Sequence, residues 1–86
     1  MAEQDRDDLE RRVRRTIAGT FGVDPPPERE LTMGDPPQWD SLGHMSLVVA
    51  IEAEFQVSFP AHAIATLTST RAIIDAVMSL AARRQL

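Results

Sequence analysis

The stretch Gln38-Trp39-Asp40-Ser41-Leu42-Gly43-His44-Met45 ends a proline-rich segment and opens the most hydrophobic run of the chain. Asp40 and Ser41 are residue types whose side chains accept a hydrogen bond from the free amides of a helix start, so a helix is predicted from about Ser41 to Phe55. Steps of roughly 100° per residue sort its apolar side chains into two arcs. Leu47, Val48, Ile51 and Phe55 form the predicted core face. Leu42, Met45 and Val49 fall on a second arc, roughly 145° away. A helix in a small bundle needs only one buried face. The second stripe is therefore expected either to dock a partner or to lie under the preceding loop. Ser41 stands beside that stripe, where a hydroxyl meets solvent and the positive end of the helix dipole.

Upstream, Asp5 to Phe21 reads as a helix, because Leu9, Val13, Ile17 and Phe21 recur every four residues on an otherwise charged cylinder. Asp5, Asp7 and Asp8 favour the dipole at its start, and Gly22 is placed to end it. Arg11, Arg12, Arg14 and Arg15 have Asp7, Asp8 and Glu10 as helical neighbours, which favours a solvated face over an acidic partner. Val23 to Gln38 is a loop, since Pro25, Pro26, Pro27, Pro36 and Pro37 remove donors and disfavour helix before them. Leu31 and Met33 are its expected anchors in the core. Trp39 is expected to clamp the loop's end against the bundle, with a recognition ring beside Ser41 as the alternative.

Downstream, Phe59-Pro60 opens a short helix through Ile64 and Leu67. Thr68 or Ser69 caps a last helix that reaches Arg83 or Arg84, whose charges suit its C-terminal end. Ile73, Val77 and Leu80 form its stripe, with Ile74 and Met78 at the margins. No segment carries a strand signal. The expected fold is all-α, one domain over residues 1–86, with three principal helices, one short helix and a long first loop.

At 86 residues the chain can support one core and no more. It has no cysteine, hence no disulfide and no thiol chemistry of its own. No apolar run approaches the ~20 residues of a membrane span, and the acidic start Met1-Ala2-Glu3-Gln4-Asp5 is unlike a signal peptide. A cytoplasmic monomer without membrane contact is expected. The net charge is −4: residues 1–40 carry ten acids and six arginines, and residues 41–86 carry three of each. Neither half has the clustered positive charge of a nucleic-acid footprint.

Enzyme chemistry finds little support. Ser41 lacks a Gly-x-Ser-x-Gly elbow, and His44 projects toward the core side with no third group to orient it. His62 is isolated, so no metal-ligand cluster is present, and there is no phosphate-binding glycine loop. A serine displayed in this way is better suited to being modified than to catalysing.

Asp40-Ser41-Leu42, the run from Leu47 to Phe55, Phe59-Pro60 and the last helix together resemble the acyl carrier protein family at matching spacing. The resemblance covers residues 40–80 closely and the first helix in pattern. It implies the acyl-carrier-protein-like bundle, and a 4′-phosphopantetheine placed on Ser41 from coenzyme A by a separate phosphopantetheinyl transferase. Asp40 belongs to the same motif. The arm's thiol would carry acyl groups as thioesters among ligases, acyltransferases or ketosynthases. A phosphodiester suits a helix N-terminus. Relatives in fatty-acid synthesis usually carry acids just after the serine and on the third helix. Here Gly43, Ser46, Ala61, His62 and Ala63 stand there, which points to polyketide or other specialised acyl metabolism. Leu42, Met45, Val49, Glu52 and Glu54 are the candidate docking residues, although the two glutamates are as readily explained as solvated. An aminoacyl or peptidyl carrier, and a helical interaction module with Ser41 as an incidental cap, remain the alternatives.

Overall fold

Helix α1, Glu3–Phe21, forms around the expected stripe: Val13 and Ile17 are fully buried, Phe21 is buried, and Leu9 packs at the edge of the core. Its end needs a left-handed residue. Gly22 supplies it at φ 66°, and the amide of Val23 returns to the carbonyl of Ala18 at 3.0 Å. The computed structural model describes residues 3–26 and 28–84, with side chains for 6–26 and 28–83. The charges of Asp5 and Arg84 and the position of Pro27 lie outside the described residues.

Helix α2, Ser41–Phe55, has the predicted bounds and buries the predicted face. It stops at Gln56, which takes the left-handed conformation at φ 53° in place of a glycine and donates its amide to Glu52 O. Helix α3, Ala61–Ile64, is shorter than expected. Pro60 sits just before it, and its carbonyl accepts from Ala63 and Ile64. The chain then turns, and Leu67 is buried beyond the helix. Helix α4, Thr70–Arg84, is capped by Ser69, whose Oγ accepts from the Ala72 amide at 3.1 Å. Helix α1 packs against both α2 and α4.

On α4 the buried arc runs through Thr70, Ile73, Ile74 and Val77, and Leu80 is only partly covered. Ile74 is therefore core, a correction to its expected marginal place. The arc is rotated because Thr70 is tied beneath the loop: its hydroxyl accepts from the Leu31 amide at 3.0 Å, and its amide donates to Leu31 O at 2.9 Å.

The long loop is organised by such backbone bonds. Leu31 is buried as expected, but Met33 is 38% exposed and is no core anchor. Thr32 and Asp35 exchange both backbone bonds in a tight turn, which carries Met33 outward. Only its amide is anchored, to Thr68 O at 2.9 Å. Isolated bridges join Thr32 to Asp35 and to Ser69, and no strand forms among the described residues.

Phe55 closes one end of the core, with the Arg12 guanidinium 4.7 Å above its ring. Phe55→Ala should lower stability by about 3–5 kcal/mol. A urea titration followed by circular dichroism checks this, and an unchanged midpoint would show that the core does not depend on this ring.

Candidate functional site

The site is built from the loop's end upward. Trp39 is fully buried, stacked on Phe21 with centroids 5.5 Å apart. Its second ring neighbour is His44, at 6.2 Å. Its backbone is held on both sides, with Trp39 N donating to Pro36 O and Gly34 N donating to Trp39 O. The clamp reading is the correct one of the two offered by the sequence.

The indole Nε1 donates to His44 Nδ1 at 3.0 Å. An indole nitrogen can only donate, so Nδ1 must be the accepting nitrogen and the imidazole proton sits on Nε2. That nitrogen lies 2.9 Å from Ile64 O, to which it donates. His44 is buried at 6% exposure, as its structural role predicts. With both ring nitrogens committed, it offers no base to Ser41.

Asp40 has extended backbone angles, and its Oδ1 accepts from Gly43 N at 2.7 Å. Its carbonyl accepts from His44 N, the first helical bond of α2. Gly43 matters for its missing side chain. A Cβ there would collide with the Gln38 carbonyl and press on the Phe21 ring. Gln38 in turn donates from Nε2 to Phe21 O at 3.2 Å. The loop's end and the first turn of α2 are thereby pressed together, backbone on backbone. Glycine inside a helix is unfavourable by roughly 0.5–1 kcal/mol relative to alanine, so its presence in the first turn was a usable signal of close approach.

Ser41 is the first residue of α2 and is exposed. Among the described residues nothing accepts from or donates to its hydroxyl, and the amides of Ser41 and Leu42 also lack acceptors. The hydroxyl thus stands beside two free donors at the positive end of a 15-residue helix. Such a place suits an anionic substituent on the oxygen.

The outer stripe follows directly. Leu42 is 79%, Met45 49% and Val49 62% exposed, so the loop does not cover it. The two glutamates are not simply solvated, which corrects that part of the sequence reading. Glu52 Oε2 accepts from the Phe59 amide at 2.8 Å, and Glu54 Oε2 pairs with Arg12 at 2.9 Å. Neither link was visible in sequence, because each joins segments brought together only by folding. His62 is exposed on α3, remote in sequence from this junction.

No family model, curated protein or solved structure matches this chain.

His44→Phe keeps a ring in place but removes both hydrogen bonds. The expected loss is about 1–3 kcal/mol, chiefly from the buried indole N–H left without an acceptor. Chemical unfolding of the variant measures it, and wild-type stability would mean the relay contributes nothing.

Proposed function

We propose that this chain is an acyl carrier protein that bears 4′-phosphopantetheine on Ser41. The observation that supports this most is the state of the Ser41 hydroxyl. It is exposed, without an internal partner among the described residues, and set at a capped helix start beside amides that have none there either. The residues present fit the group. Its phosphodiester would meet the Ser41 and Leu42 amides, while Asp40 keeps its Oδ1 turned to Gly43 N. The arm supplies a terminal thiol, which this cysteine-free chain lacks and which holds acyl groups as thioesters.

Among the described residues no base is aimed at Ser41, so its proton would leave to a group on the phosphopantetheinyl transferase as the oxygen–phosphorus bond forms. The pyrophosphate bond of coenzyme A breaks in the same exchange, and adenosine 3′,5′-bisphosphate leaves. Acyl-loading and acyl-processing enzymes, such as ligases, acyltransferases or ketosynthases, are the further partners. Polyketide or related specialised acyl metabolism in the cytoplasm is the setting, because acids are sparse around the serine and on α3. No helix among the described residues is long and apolar enough to cross a membrane.

Incubation with coenzyme A and a broad-specificity transferase should add one phosphopantetheine mass to the intact protein. Ser41→Ala should abolish the addition and preserve helical content. Addition at another serine, or none with an active transferase, would overturn the assignment.

Partners are proposed to grip the stripe Leu42, Met45 and Val49 more than charge. The stripe adjoins the attachment point, and Glu52 and Glu54 already serve Phe59 and Arg12. Met45→Ala and Val49→Ala should each weaken binding of a cognate enzyme more than Glu54→Gln does. Affinity should also change little with salt, because apolar contacts do not follow the Debye length down to ~8 Å at physiological ionic strength. Surface plasmon resonance over a salt series tests this. Dominance of Glu54 together with steep salt dependence would sink it.

A further inference from the structure

Four arginines of α1 surround its middle turns, with Arg15 at the border between the side of Arg12 and that of Arg11 and Arg14. Arg12 lies over Phe55 and pairs with Glu54. Arg11, Arg14 and Arg15 turn toward the first loop, where they and Arg29 line a pocket of about 240 Å³. Ala18, Pro25 and Pro26, none of them buried, contribute apolar surface to it.

The acids interleaved along α1 do not neutralise this group. Glu10 reaches across to Arg71 of α4 at 3.2 Å. Among the described residues Arg11 and Arg15 have no carboxylate partner, and Arg14 donates only to the carbonyl of Arg29, at 3.2 Å. Arg29 has a single ion pair, a long one of 3.4 Å to Asp35, with both side chains more than half exposed. Asp24 is the one carboxylate along the pocket wall among the described residues. Four arginines thus line one concavity in a chain of net charge −4. A concave wall of one sign concentrates its field on whatever enters.

Guanidinium forks match the oxygens of phosphate and carboxylate, and several forks together favour a group with more than one negative charge. The apolar surface calls for a carbon body attached to that group. We propose that this pocket binds an organic phosphate, its phosphate monoester held by Arg11, Arg14, Arg15 and Arg29 and its apolar part against Ala18, Pro25 and Pro26. Occupancy would link Arg29 of the loop to α1 through the ligand. The site is independent of any modification at Ser41.

The probe is n-hexyl phosphate, titrated calorimetrically into the full chain at low salt, with inorganic phosphate and hexanoate as comparisons. Saturable one-to-one binding is expected, tighter for hexyl phosphate than for either comparison. Amide shifts should concentrate at residues 11–18 and 24–31. The double variant Arg11→Gln/Arg15→Gln removes two exposed, unpaired charges, so its fold should persist by circular dichroism while affinity falls about tenfold or more. Arg6→Gln removes an exposed α1 charge outside the pocket and should leave affinity unchanged, as should Ser41→Ala. The proposal is overturned by any of three results: no saturable binding, hexanoate binding as tightly as hexyl phosphate, or Arg6→Gln weakening binding as much as the double variant.

Discussion

The hydrogen-bonded relay from the Trp39 indole through His44 to the Ile64 carbonyl joins four parts of the molecule at one buried point. Trp39 ends the loop and stacks on the last residue of α1, His44 belongs to α2, and Ile64 ends α3. Each of these groups is polar and largely withdrawn from water, so the arrangement holds only if every donor meets an acceptor. It does: among the described residues no buried side-chain nitrogen or oxygen lacks a partner. A fully satisfied buried network selects one geometry sharply, because any displacement strands a group in a low-dielectric interior. Ser41 sits directly above this joint. Its hydroxyl is exposed, yet the backbone that carries it is held on both sides, by the bonds at Trp39 and by the bond from His44 N to Asp40 O.

Helix α2 is divided by what its side chains face. Toward the C-terminal end, Glu52 holds the amide of Phe59 and Glu54 holds Arg12, so its charges serve the fold. Toward the N-terminal end, Leu42 and Met45 face water beside a serine with no partner among the described residues. The division has a physical origin in the dipole. Carboxylates near a helix C-terminus are unfavourable unless something compensates them. An arginine from α1 and a backbone amide provide that compensation here, while the apolar half remains free for contacts made from outside.

Much of this was legible in the sequence because it depends on local spacing. The four-residue recurrence of Leu9, Val13, Ile17 and Phe21 can bury only one stripe, and Asp40 next to Ser41 can only mark a helix start. The core arc of α2 and the clamp at Trp39 followed from the same kind of reasoning. Tertiary pairing escaped it. Met33 looked like an anchor because it is apolar and two residues from Leu31, but the Thr32–Asp35 turn reverses the chain there. Ile74 looked marginal because the bond between Thr70 and Leu31, 39 residues apart, rotates α4. The capture of Glu10, the helical neighbour of Arg14, by Arg71 of α4 also needed the fold. At the candidate site, the position of Ser41 was readable, and Gly43 signalled a close approach, while the identity of the carbonyl it accommodates was not readable, because that group comes from the loop.

The seating of Trp39 also gives the protein an optical reporter. It is the sole tryptophan, it is fully buried, and its indole N–H is bonded to a neighbouring ring. Its ultraviolet emission therefore has one origin, and both its wavelength and its yield depend on that pocket. Far-ultraviolet dichroism, by contrast, sums over all the helices. Two spectrometers looking at the same sample would consequently watch different things: one the joint beneath Ser41, the other the bundle as a whole. Coincident traces would mean that the joint opens only with global unfolding, and a separation between them would measure how far the first turn of α2 can loosen while the remaining helices stand.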